Sequence, residues 1–202
     1  MIKAKVREQI FINKNELDKI ELDILNRRHI ERYAMLRQYC SGVILDASCG
    51  CGYGTNIISK NPDVNKIIGI DIDLQSIEWA KNNFENSKTF FKTLDIKNIK
   101  DINAIKEFLN NKELNNNYID VLISLETIEH LKNPEILNEM AENLNIKTLF
   151  ISYPSKKTTH YNHFHFHDFI DDDIELIFKN YKVTDRIDLH REVRILKFEK
   201  NV

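Results

Sequence analysis

Short apolar runs alternate with amphipathic stretches from Val43 onward. Val43-Ile44-Leu45 closes on Asp46 and a turn of small residues, which reads as a buried strand. Residues 66–71, 89–94, 119–124 and 148–152 repeat the pattern and predict four more strands. Helical spacing between them predicts helices at 56–60 (stopped by Pro62), 74–84, 102–109 and 134–144, the last with Pro near its start. A further helix is expected at 174–180, and two closing antiparallel strands at 183–187 and 193–198. Residues 110–117 read as a polar loop. Upstream, Leu17, Ile20, Leu22, Ile24, Leu25, Ile30, Tyr33, Ala34 and Leu36 recur at mostly helical spacing, which predicts two helices within 14–39.

Strands alternating with helices predict an α/β protein whose mainly parallel sheet is covered by helices on both faces. No repeat or linker interrupts the pattern, so one domain is expected. Its parts are an N-terminal helical segment (1–40) and an α/β core (41–202). The chain is 202 residues long with 42% hydrophobic residues, enough for a core without a disulfide framework. Lys and Arg total 29 against 31 Asp and Glu, for a net charge of -2. That balance gives no broad basic surface, so duplex nucleic acid is not the default partner. Three cysteines, two of them Cys49 and Cys51, do not suit a disulfide scaffold and predict a reducing, cytoplasmic setting. The start has no secretory pattern, and no apolar run is long enough to span a membrane.

Chemistry concentrates first at Asp46-Ala47-Ser48-Cys49-Gly50-Cys51-Gly52-Tyr53-Gly54-Thr55. Of only 5 glycines in the chain, four are Gly42, Gly50, Gly52 and Gly54. A strand entering a turn of small residues and then a helix lets a ligand approach the backbone and the helix N-terminus. The glycines follow GxGxG, with Thr55 where a dinucleotide-binding turn would carry its third glycine. Nor is there the Gly-Lys-Ser/Thr of a phosphate loop. Asp71 ends the second strand, where a carboxylate can accept both hydroxyls of a ribose. Asp95 ends the third.

With Gly-Ile-Asp71, Asp95 and Ile119-Asp120-Val121, this turn resembles the class I methyltransferases that use S-adenosylmethionine. The resemblance covers roughly 29–198. It implies a Rossmann-like seven-stranded sheet with the last strand antiparallel. It places methionine over the turn (Tyr33, Asp46, Ala47, Ser48, Gly50, Gly52 and Leu125), ribose on Asp71 and Ile72, and adenine near Asp95 and Ile96. Ser48 stands where most members have Gly or Ala. Valine at Gly50 or Gly52 is expected to abolish cofactor binding and spare the fold. In this setting Cys49 reads as a small buried residue and Cys51 as a surface one.

A second concentration follows the fourth and fifth strands. Ser124-Leu125-Glu126-Thr127-Ile128-Glu129-His130 lies after one. Tyr153-Pro154-Ser155-Lys156 and then His160, His163, His165 and His167 lie after the other. With Arg32-Tyr33, these segments resemble a bacterial subgroup that methylates a hydroxyl of a sugar or other small polar acceptor in surface-glycan or natural-product pathways. On that reading His130 is the general base, supported by Glu126, Glu129 and His165. Glu126-x-x-Glu129-His130 with His165 is also similar to the metal site of small-RNA 3′-terminal 2′-O-methyltransferases. There two glutamates and two histidines hold a divalent ion, and mixed O and N ligands suit magnesium or manganese. A third possibility is a non-catalytic protein that binds the cofactor as a sensor or partner subunit. The same residues also fit a structural role: the glutamates as helix caps, and His163 and His167, alternating with Phe164 and Phe166, as part of a half-exposed lid.

Overall fold

The computed structural model describes residues 14–98, 103–105, 107–108 and 118–201. Strand β1 (Gly42–Ala47) is buried along nearly all its length because it has a core on each side. Val43, Leu45 and Ala47 face one cluster of apolar residues, and Ile44 faces the other. Successive strand side chains point to opposite faces, so a strand covered on both sides must be apolar throughout. β2 (Val64–Asp71) from Ile67 to Ile70, β4 (Val121–Ser124) and β5 (Thr148–Pro154) follow the same rule, while β3 (Thr89–Thr93), at the sheet edge, is fully buried only at Thr89 and Phe91.

These strands, with β6 (Tyr181–Leu189) and β7 (Val193–Lys200), form one seven-stranded sheet in the order β3-β2-β1-β4-β5-β7-β6. All described pairings are parallel except those of β7, which is antiparallel to β5 and β6. The expected antiparallel closure is therefore present. The chain order reverses between β1 and β4, which opens a crevice beyond their C-terminal ends.

Helices α1 (Lys14–Leu36), α2 (Tyr53–Ser59) and α3 (Leu74–Phe84) lie on one face, through Leu36, Ile58 and Ile77. Helices α4 (Glu135–Asn143) and α5 (Asp171–Ile177) lie on the other, through Leu137, Met140 and Ile174. Residues 103–105 and 107–108 are helical, and Ile105 joins the second face's core. The expected loop at 110–117 and both ends of the expected helix at 102–109 lie outside the described residues.

Three helical elements differ from the sequence pattern, one of them α2, which starts at Tyr53 and not at residue 56. Residues 14–39 form one helix and a single 3-10 turn (Arg37–Tyr39), not two helices. Among its described side chains only those of the last turns are buried, at Arg32, Tyr33 and Leu36; Leu22, Ile24, Leu25 and Ile30 are exposed. Helix α5 begins three residues before its first apolar position. Asp171, Asp172 and Asp173 fill its first turn, where carboxylates favour the free N–H groups, and Asp173 Oδ2 accepts from Ile170 N–H at 3.0 Å. No helix among the described residues is long and apolar enough to cross a membrane.

Candidate active site

The turn after β1 is held by side chains from three neighbouring elements. Asp46 is fully buried and accepts hydroxyl hydrogen bonds from Thr55 (2.6 Å) and Tyr33 (3.3 Å). Burial pushes its carboxyl up to about 7. Gly52 has φ +79°, and a Cβ there would meet Phe91 at 2.6 Å and Ala80 at 2.7 Å. Gly50 has φ +53°, and a Cβ there would meet nothing within 4 Å. One glycine is therefore required by packing, while the other leaves space open above the turn. Asp71 connects this turn to the next loop: Oδ2 accepts from Gly50 N–H and Oδ1 from Asp73 N–H, both at 2.9 Å. Each oxygen keeps a lone pair for a further donor.

Two cavities adjoin above the turn. One, of about 190 Å³, is lined by Ser48, Asp71, Ile72, Asp95, Ile96, Glu126 and His130, among others. The other, of about 200 Å³, is lined by His29, Arg32, Tyr33, Ser48, Gly50, Leu125 and Glu126, among others. Ser48 and Glu126 form a wall of both, and both have left-handed backbones, φ +64° and +52°. Such conformations disfavour side chains with a Cβ and are retained where the surroundings enforce them. Asp46, Ala47 and Gly52 stand one layer behind these walls.

The acidic segment after β4 meets the histidine-rich loop after β5. Glu129 is fully buried, and neither of its carboxylate oxygens has a hydrogen-bond partner. Burial and the nearby Glu126 charge push its carboxyl up to about 8. His130 Nδ1 donates to the Phe164 carbonyl at 3.0 Å, which leaves Nε2 as the lone-pair nitrogen. The His130 and His165 rings meet edge to face, 4.5 Å between centroids. One ligand atom each from Glu129, His130 and His165 lies within 4.8 Å of the others. Glu126 instead turns to Arg32, Oε2 to Nη1 3.2 Å, and accepts from Ser152 Oγ at 3.3 Å.

Residues 41–189, more than half of the chain, match the family model described as a methyltransferase domain. The chain belongs to that methyltransferase family. No curated protein matches it in sequence. Among solved structures it is similar to magnesium protoporphyrin IX methyltransferase from Synechocystis PCC 6803 with bound SAH. Identity is 14%, TM-score 0.67, and coverage 96% of this chain and 90% of that one. A SAM-dependent methyltransferase from Aquifex aeolicus is 13% identical with TM-score 0.65, covering 95% and 100%. The small RNA methyltransferase HEN1 is 17% identical with TM-score 0.63, covering 98% of this chain but 27% of that one. These likenesses establish the Rossmann-like methyltransferase fold.

In this methyltransferase the residues singled out in the sequence converge from distant positions. Tyr33, Ser48, Gly50, Asp71, Ile72, Asp95, Ile96, Leu125, Glu126 and His130 all line the two cavities. Cys49 is buried and Cys51 exposed, both as free thiols. Thr55 and Arg32 carry more than their motifs indicated. Thr55, where a dinucleotide-binding turn would carry its third glycine, anchors Asp46. Arg32 lies against both Glu126 and His29 Nδ1, the latter at 2.9 Å. His29-x-x-Arg32-Tyr33 on one helix face was the available signal. Asp168 braces the histidine loop by accepting from Thr158 N–H (2.6 Å), Thr159 N–H (3.1 Å) and the Thr159 hydroxyl (2.6 Å).

Proposed function

We propose that this methyltransferase uses S-adenosylmethionine to methylate a hydroxyl of a sugar or other small polar metabolite. The observation that carries the reading is that His130 shares one cavity wall with Asp71, Asp95 and Ile96. A base thus stands beside the residues suited to ribose and adenine. The open space over Gly50 and the spare acceptors of Asp71 fit the cofactor. When bound, it supplies a methyl group on a sulfonium, transferred in line to the acceptor oxygen with departure of a neutral thioether. The chain's part is to position the hydroxyl and take its proton. His130 Nε2 accepts that proton, and the Phe164 carbonyl, already bound to Nδ1–H, stabilises the resulting imidazolium.

A second reading is a metal-dependent RNA ribose methyltransferase, favoured by the partnerless carboxylate of Glu129. A buried carboxyl without hydrogen-bond partners is costly, and a cation that displaces its proton would satisfy it. Glu129, His130 and His165 fit a divalent ion, which would polarise the acceptor hydroxyl.

The test begins by comparing polar metabolites, glycans and RNA nucleosides from cells with and without the protein. A small polar product heavier by one CH2 in the cells that contain it is expected. Transfer to its unmethylated form is then measured with purified protein. The His130→Ala variant should turn over about 10²–10⁴ more slowly, with cofactor affinity almost unchanged. Inhibition of the wild type by a chelator, reversed by added divalent ion, supports a metal at the cluster. A mass shift confined to RNA termini favours the second reading, and full activity of His130→Ala contradicts both.

A further inference from the structure

A third cavity, of about 490 Å³, opens from the first across His130 and Lys97, which line both. Its remaining lining is Lys132, Asn133, Ile136 and Phe166. Its volume is that of a small-molecule site. No carboxylate is among its described lining residues, although the chain as a whole carries net charge -2. Both lysines are exposed, and Lys132 Nζ lies 5.4 Å from the centre of the Phe166 ring. Phe166 is 47% exposed, and its backbone is anchored where its N–H donates to the Glu129 carbonyl at 2.8 Å. The cavity therefore combines a base at its mouth, two ammonium groups and an exposed aromatic ring on an anchored backbone.

We propose that this cavity is the acceptor subsite and selects a phosphorylated acceptor, with Lys97 and Lys132 taking the phosphate and Phe166 the face of the adjoining ring. The inference rests on the methyltransferase reading above and narrows its acceptor class. Two ammonium groups match the charge of a phosphomonoester or diphosphate better than that of a single carboxylate. Lysine binds such groups as a point charge, whereas planar carboxylates are commonly read by the arginine fork. A ring lying on Phe166 directs a ring hydroxyl towards His130 while its phosphate stays at the lysines.

Calorimetry on the full chain loaded with S-adenosylhomocysteine tests this. The probes are uridine diphosphate for nucleotide-linked acceptors, glucose 6-phosphate for sugar phosphates, and acetate as the carboxylate control. At least one phosphate probe should bind saturably and acetate should not. Lys132→Gln should weaken that binding at least ~10-fold, and Lys132→Arg should largely restore it. S-adenosylhomocysteine should bind all three proteins alike. If it binds but neither phosphate probe does, or if Lys132→Gln binds them as tightly as wild type, the subsite assignment fails and the methyltransferase reading stands. Absence of S-adenosylhomocysteine binding in the wild type strikes the underlying reading instead. Tighter binding of a single-stranded oligoribonucleotide than of either small phosphate, with affinity falling steeply in salt, overturns the assignment to a small acceptor.

Discussion

Asp46 and Glu129 are carboxyls held where ionisation is costly. Burial raises Asp46 from 3.8 to about 7 and, with the Glu126 charge, Glu129 from 4.5 to about 8. Each keeps a proton in the folded chain that the unfolded chain has already released. The stability this confers is complete below the unfolded values and is lost as pH rises through the folded ones. Cofactor-free protein should therefore become less stable between about pH 4.5 and 7, each group contributing up to ~1.4 kcal/mol per pH unit. Denaturant titrations across that range should show a shallower slope for Asp46→Asn, which keeps one oxygen acceptor for a hydroxyl and offers its NH2 to the other. An unchanged slope in that variant would contradict the assignment. Asp46 was legible in the sequence as the acidic end of a strand. Its two hydroxyl donors were not, because Tyr33 precedes it by a whole helix end and Thr55 reads only as a missing glycine. Asp71 was legible for the same reason as Asp46. Its hold on two backbone N–H groups leaves no trace in side-chain pattern.

The glycine turn shows why elements were easier to find than their internal division of labour. Gly50 and Gly52 are equivalent as sequence, but their surroundings differ. Valine at Gly52 would drive into Phe91 and Ala80 from a left-handed backbone, so it should destabilise the fold by about 2–4 kcal/mol. The expectation that both substitutions spare the fold is corrected there. Valine at Gly50 meets open space and should cost about 1–2 kcal/mol of backbone strain while blocking the cofactor. Parallel thermal melts and S-adenosylhomocysteine titrations distinguish the two variants. Wild-type melting of Gly52→Val, or wild-type binding by Gly50→Val, would refute this division. The helices were legible where one face is buried, as in α3 at Ile77 and Ala80. They were misread where burial does not follow apolarity: α1 leaves Leu22, Leu25 and Ile30 exposed, and α5 starts on aspartates. The histidine loop was visible as composition only. The hydrogen bonds that fasten it to the segment after β4, from the His130 ring to the Phe164 carbonyl and from Phe166 N–H to the Glu129 carbonyl, join positions more than 30 residues apart.

At the scale of the whole molecule, one sheet edge gathers every candidate group. The C-terminal ends of β1, β2, β3, β4 and β5 bring the glycine turn, Asp71, Asp95, the Glu126–His130 segment and the histidine loop around adjoining cavities, and α1 adds Tyr33. The alternation of strands and helices made that edge foreseeable, since open α/β sheets bind ligands beyond the carboxyl ends of their strands. What the alternation does not encode is the shape of the space left over, including the cationic cavity beyond His130. That shape depends on side chains meeting across the loops. The central claim is that this edge binds S-adenosylmethionine, and calorimetric titration of the cofactor into the purified chain tests it most directly. The account predicts saturable binding that Asp71→Ala weakens by about 1–3 kcal/mol, the loss of hydrogen bonds to a charged acceptor. Absence of binding heat and of any cofactor-induced thermal stabilisation in the wild-type protein would contradict it.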